Sequence, residues 1–176
     1  MHTGSRALGA LLAFALACPT WAAPSDADDD DPCRGVIKSE VRVLGKRALM
    51  FLCTDGKIDA RYPVNLGQGG LGKEKRGDQK TPVGRYPLSK PRASYSGFTW
   101  FVRVGYPTAA ERAAGKTGGD IGIHGPPEGW PQELIDAAFE TPWTDGCIMV
   151  RTTAEIDAVR AWVLEKKPTT IEITDT

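Results

Sequence analysis

Two stretches have residue types and spacing able to do chemistry: a cysteine behind a glycine, Trp143-Thr144-Asp145-Gly146-Cys147-Ile148-Met149-Val150, and a histidine ahead of one, Ile121-Gly122-Ile123-His124-Gly125. The thiolate is the attacking form, and an unassisted cysteine has a pKa of about 8.5, so Cys147 needs a base nearby to act at neutral pH. His124 is the candidate imidazole, because the other histidine, His2, lies in a segment expected to be removed. Gly146 and Cys147 would offer backbone amides to a tetrahedral oxyanion, and Gly146 lets a carbonyl approach closely. His124 would take and return a proton while the Gly125 carbonyl holds its other ring nitrogen. That chemistry is acyl transfer through a thioester. The alternative at this level is a buried cysteine and a surface histidine that have nothing to do with each other.

The elements that must bring the two stretches together are short and β-rich. Strand-like runs cover 36–43, 48–53 and 58–64, and Asp55-Gly56 between the last two is a hairpin signal. Residues 65–80, rich in glycine and charge, read as a mobile loop. Pro82 and Pro87 confine the run 81–88 to an edge or a bend, and 98–104 is a further aromatic, β-branched run. One helical turn fits within 107–119. His124 then stands at the end of a short strand. Leu134, Ile135, Ala138 and Phe139 recur at helical spacing over 131–139. Thr152 with Glu155 fits a capping box for a helix running to about Lys166, and 170–173 is a last strand. The class is mainly β with one or two short helices.

The N-terminus carries an address. Arg6, the apolar run 7–17 and the small residues before Pro24 read as an export signal over 1–23, and Leu16-Ala17-Cys18 offers lipoprotein anchoring as a second outcome. The acidic stretch that follows, 24–34, is expected to be a disordered tether. It lacks the turn glycine and distal glutamate of a calcium loop. Losing 1–23 leaves 21 basic against 22 acidic side chains, so no nucleic-acid role is suggested. Export implies an oxidising compartment, in which three thiols remain. Cys33 and Cys53 flank two strand-like runs that fold back on each other, so these two are expected to form a disulfide, with two buried free thiols as the alternative. That pairing leaves too few soft ligands for zinc.

Thr81-Pro82-Val83-Gly84, Ile121-Gly122-Ile123-His124-Gly125 and Thr144-Asp145-Gly146-Cys147-Ile148 together resemble the L,D-transpeptidases of bacterial cell walls, the YkuD-like family. The likeness covers nearly all of 36–174, so a catalytic domain is expected over 35–176. It implies a β-sandwich-like fold with short helices and no cofactor. Cys147 would be the nucleophile, His124 the base, Gly125 the carbonyl that orients it, and Gly146 with Cys147 the oxyanion donors. Asp145, Thr144, Trp143 and Arg151 become the expected substrate contacts. The implied substrate is a peptidoglycan tetrapeptide stem, acylated on Cys147 at the L-centre of diaminopimelate with release of D-alanine. The acyl group passes to an amine, a wall-linked lipoprotein among the acceptors, or to water. Such a protein would work in the periplasm, and a monomer is expected. Asp145 replaces the family's usual second histidine, Met149 stands where many members have arginine, and Thr152 where asparagine is common. A carboxylate beside the thiol resists thiolate formation unless it faces away or orients His124. Lys73, Lys75, Arg76, Lys80, Arg85, Lys90 and Arg92 form a basic set that would attract the stem's carboxylates, and Trp130, Trp143 and Phe98 would floor the cleft. Hydrolysis by an L,D-carboxypeptidase or amidase, and a wall-binding module without turnover, are the competing readings.

Overall fold

The computed structural model describes residues 31–176 together with Met1; the expected export signal, Cys18 and most of the acidic stretch lie outside the described residues. The compact unit runs from Asp31 to Thr176. It contains β1 (Ser39–Leu44), β2 (Leu49–Thr54), β3 (Lys57–Asn65), β4 (Gly84–Pro87), β5 (Arg92–Ala93), β6 (Trp100–Arg103), β7 (Gly122–His124), β8 (Ile148–Val150) and β9 (Thr170–Thr174). Its helices are α1 (Ala109–Ala113), α2 (Gln132–Glu140) and α3 (Thr153–Lys166). The strands form one curled sheet in the order β4-β9-β1-β2-β3-β8-β7-β6-β5.

Local chemistry sets the first half. Asp55 and Gly56 take φ values of 49° and 76°, the positive pair that a two-residue hairpin turn requires, and β2 and β3 pair antiparallel on either side. Proline 87 sits on β4, an edge strand, where a missing N–H costs no ladder bond. The strand expected from Val36 starts only at Ser39, because Val36 donates to the Cys33 carbonyl in a turn and Lys38 is left-handed at φ 69°. Cys33, which the sequence placed in the tether, is fully buried with Val36, Phe51 and Cys53. It is bonded to Cys53 as expected.

The long strand β3 carries the sheet from one half to the other. Its body pairs with β2, while Val64 and Asn65 pair with Val150 and Met149 of β8. Beyond β8 the order continues through the parallel pair β8–β7 to the antiparallel pair β7–β6. Val102, Ile123, Ile148 and Val150 point into one contiguous core with Val41, Ile171 and the α3 residues Ile156 and Val159. Helix α3 packs against β6 and β8, and its capping box is formed, with Glu155 N–H donating to Thr152 Oγ1 and Thr152 N–H to Glu155 Oε2. Side chains alternate along strands, so Phe101, His124 and Met149 project from the opposite face, the one that carries the site.

The 65–80 loop has no helix but is far more tied down than the mobile loop its composition suggests. Asp78 is its centre, accepting from Lys73 Nζ at 2.6 Å and from the N–H groups of Glu74, Lys75 and Lys80. Lys73, one of the basic set expected to attract the stem's carboxylates, is 4% exposed. No described helix is long and apolar enough to cross a membrane.

Candidate active site

The register of three strands defines the site. Phe101 of β6 lies opposite His124 of β7, which lies beside Met149 of β8; one step back, Arg103 lies opposite Gly122. Carried back by one residue, the β7–β8 pairing sets Cys147 beside Gly122. Cys147 and Met149 share a face by alternation, so Cys147 and His124 are diagonal neighbours on one face of adjacent strands.

His124 is not the surface histidine of the alternative reading: it is 2% exposed, with Phe98 stacked on it at 3.9 Å and Phe101 at 6.5 Å. Its Nδ1 lies 2.6 Å from the Gly125 carbonyl. A carbonyl only accepts, so Nδ1 carries the proton and Nε2 keeps its lone pair. Burial pulls the imidazole down to about 4 against the opposing effect of the Gly125 bond, so the ring is neutral at pH 7. Gly125 has a packing role as well, since a Cβ there would meet Ile156 Cγ2 at 2.7 Å.

Cys147 is a half-buried free thiol whose Sγ donates to the Asp120 carbonyl at 3.4 Å. Burial pushes it up to about 11; the carboxylates of Asp145 and Asp120 add to this, while the Gly122 backbone bond and Lys73 oppose it. Thiol and imidazole therefore rest as a neutral pair, with the sulfur turned to Asp120 and the ring nitrogen uncommitted. Among the described residues no hydrogen bond joins them. Gly146, at φ 116°, brings the turn close against the loop wall: a Cβ there would meet the Lys80 carbonyl at 2.4 Å.

Several residues expected at the substrate have partners within the fold. The Gly146 N–H, expected to be an oxyanion donor, is already bonded to Thr144 Oγ1 at 3.2 Å, and that hydroxyl donates to the Cys147 carbonyl at 2.8 Å. Thr144 is thus a buried brace of the Gly146-Cys147 turn. Arg151 is turned to α2, with Nη1 3.1 Å from Asp136 and its guanidinium over the Phe139 ring. Trp143 stacks on Trp130 at 4.9 Å, and its backbone N–H donates to Asn65 Oδ1. Asp145 is exposed and accepts from the side-chain amides of Gln68 and Gln79, while the Nδ1 of His124 is held by the Gly125 carbonyl instead of by this carboxylate.

Three participants were not singled out from the sequence. Asp120 contributes a main-chain oxygen, which no residue type signals. Asn65 donates to the carbonyls of Ala138 and Thr141, fixing the end of α2 beside the Trp143 turn. Arg103 reaches the site through cross-strand register. Three of the seven basic residues are engaged elsewhere: Lys73 pairs with Asp78, Arg85 with Glu40, and Arg92 lies over Tyr95 and Phe101.

The family model for the L,D-transpeptidase catalytic domain matches residues 40–173. The chain belongs to that family. Among solved structures, this L,D-transpeptidase domain is similar to the helical cell shape determining protein Pgp2 from Campylobacter jejuni, at 26% identity and TM-score 0.61, covering 77% of this chain and 46% of that one. Bd1075 of Bdellovibrio bacteriovorus matches at 22% identity and TM-score 0.53, over 78% of this chain and 48% of that one. The Enterococcus faecium L,D-transpeptidase matches at 15% and 0.51, over 77% and 49%. These last two show the fold. The chain spans less than half the length of each of the three. No curated protein matches it.

Proposed function

We propose that this chain is an exported cysteine acyltransferase of the L,D-transpeptidase type, acting on peptidoglycan tetrapeptide stems. The observation that carries the reading is the shared sheet face of His124 and Cys147, with Nδ1 tied to the Gly125 carbonyl and Nε2 left to accept a proton. Rotation about the Cys147 side chain moves Sγ from the Asp120 carbonyl toward Nε2, which takes the thiol proton as sulfur attacks the carbonyl carbon at the L-centre. Backbone N–H groups at the Gly146-Cys147 turn stabilise the oxyanion, the Gly146 amide exchanging its Thr144 partner for it. Collapse breaks the carbon–nitrogen bond, and the imidazolium delivers its proton to the departing D-alanine amine. The thioester is then captured by an amine or by water. The Cys33–Cys53 disulfide supports an oxidising destination.

Incubating the protein with a tetrapeptide stem and a D-amino acid, followed by mass spectrometry, tests the reading. A one-stem adduct on Cys147 and an exchanged product are expected, and Cys147→Ala should lose both while keeping its circular dichroism. Accumulation of tripeptide despite the added amine assigns hydrolysis to the second step. A folded parent protein that yields neither adduct nor product, and takes up no carbapenem on Cys147, overturns the proposal.

A further inference from the structure

Away from the reacting face, where the start of β1 meets β4, β9 and the end of α3, lies a cavity of about 510 Å³ whose lining includes Lys38, Arg42, Arg85, Lys166, Lys167 and Glu40. Strand β1 stands three places from β8 in the sheet order, and neither Cys147 nor His124 lines this cavity. The chain as a whole carries 22 basic and 22 acidic side chains, yet five cations meet a single carboxylate here. Counting Glu172, which pairs with Arg42, and Glu165, which pairs with Lys166, still leaves five against three.

Two of these cations are held in place and two are free. Glu40 is 2% exposed and accepts from Arg42 Nε at 2.9 Å, Arg85 Nη2 at 2.8 Å and Thr170 Oγ1 at 2.9 Å. One buried carboxylate thus fixes both guanidiniums, and each has further N–H donors to offer. Lys38 and Lys167 are exposed, and neither ammonium makes an ion pair or hydrogen bond with any described residue. Both residues hold left-handed backbone, with φ 69° and 52°. Glycine enters that region freely and lysine only at a cost, so glycine would be the more stable choice at either place. Two of the six such residues in the described chain therefore put a lysine with an unpaired ammonium on the wall of one cavity. Strain of this kind marks a position where the side chain is needed for something other than the fold.

We propose that this cavity binds a phosphate monoester, a phosphoryl group carrying an organic substituent. A phosphoryl group gathers close to two negative charges and three acceptor oxygens on one centre, so it can meet ammoniums and guanidiniums arriving from β1, β4 and α3 together. A single carboxylate carries about half that charge on a planar pair of oxygens. Cavities that hold small ligands run from about 300 to 1,000 Å³, so this one has room for the substituent as well. Ile37, 86% exposed and on the same wall, gives that substituent an apolar contact. The phosphoryl group has two sources, a soluble ester or the head of a phospholipid, and binding from either is independent of what Cys147 does.

On the full chain, calorimetry with glycerol 3-phosphate is set against succinate, a dianion without phosphorus. Co-sedimentation with vesicles of phosphatidic acid in phosphatidylcholine, against phosphatidylcholine alone, reads the lipid source. The phosphoryl probe is expected to bind about tenfold more tightly than its control. Lys38→Gly with Lys167→Gly should weaken it about tenfold while the thermal melt holds level or rises, the opposite of losing a structural contact. Lys38→Arg with Lys167→Arg should keep both charge and binding. Cys147→Ala should bind as the parent does, so the result is read apart from acyl transfer. Binding of glycerol 3-phosphate, with or without the vesicles, assigns the soluble ester; binding of the vesicles alone assigns the lipid head. No binding of either phosphoryl probe overturns the site, as do a control that binds equally well and a preference that survives the double glycine variant. A melt that falls in that variant shows the lysines to serve the fold, and overturns the site too.

Discussion

With its sulfur pushed up to about 11 and the His124 imidazole pulled down to about 4, Cys147 rests as a thiol beside a neutral ring at pH 7. Thiolate reagents should therefore find Cys147 unreactive until substrate turns it toward His124. Alkylation by iodoacetamide depends on the thiolate fraction, and raising a pKa shrinks that fraction at every pH below it. The rate should climb about tenfold per pH unit and level off near 11, well above the ordinary thiol range. Asp145 is one of the carboxylates that hold the thiol up. Asp145→Asn should thus move the plateau to lower pH and speed alkylation at pH 8 by about threefold, a modest factor because that carboxylate is exposed. A plateau at or below 9 in the parent protein, followed by mass spectrometry of Cys147, would contradict this electrostatic picture. Cys147, His124 and Gly125 were legible in the sequence because their chemistry belongs to residue type. The partners of Thr144 and Arg151, the Cys147 carbonyl and Asp136, were not legible because they follow from the folded turn and from where α2 packs.

Local elements were readable for the same reason in reverse: the Asp55-Gly56 turn and the Thr152/Glu155 box are complete within four residues. The transfer of β3 from β2 to β8 was not readable, because it joins Val64 to Val150 and nothing in either segment names the other. The 65–80 loop lies between these cases. Its composition signals irregular backbone, but its order comes from a single carboxylate that collects four donors. Burial opposes ionisation of Asp78, yet the Lys73 bond and three backbone N–H groups outweigh it and hold the carboxyl well below its ordinary value. The loop also walls the Gly146-Cys147 turn, where the Lys80 carbonyl faces Gly146 and Gln79 bonds Asp145. Asp78→Ala leaves the Lys73 ammonium buried without its anion and should cost about 3 kcal/mol, roughly 10 °C in melting temperature. Pairing it with Lys73→Met should recover much of that loss. A double variant no more stable than the single one would show that the ion pair is not what orders the loop.

At the scale of the whole molecule, the fold separates the disulfide staple from the sheet face that carries Cys147 and His124. Cys33 and Cys53 are bonded across a separation of 20 residues and sit in their own small cluster with Val36 and Phe51, apart from the main core. The link staples the segment entering the domain onto the β1–β2 hairpin, and β2 stands two places from β8 in the sheet order. Closing a loop of this length removes denatured-state entropy worth about 3 kcal/mol. Reduction should therefore lower the melting temperature by about 10 °C. It should leave acylation of Cys147 unchanged at temperatures where the reduced protein is still folded, because the β7–β8 register that sets His124 beside Cys147 does not involve the staple. The two effects separate in one experiment: thermal melts and Cys147 adduct formation, each with and without reductant, with free thiols counted by alkylation and mass. If adduct formation falls in step with reduction at 25 °C while circular dichroism stays native, the staple reaches the site after all, and the separation between scaffold and reaction face is wrong.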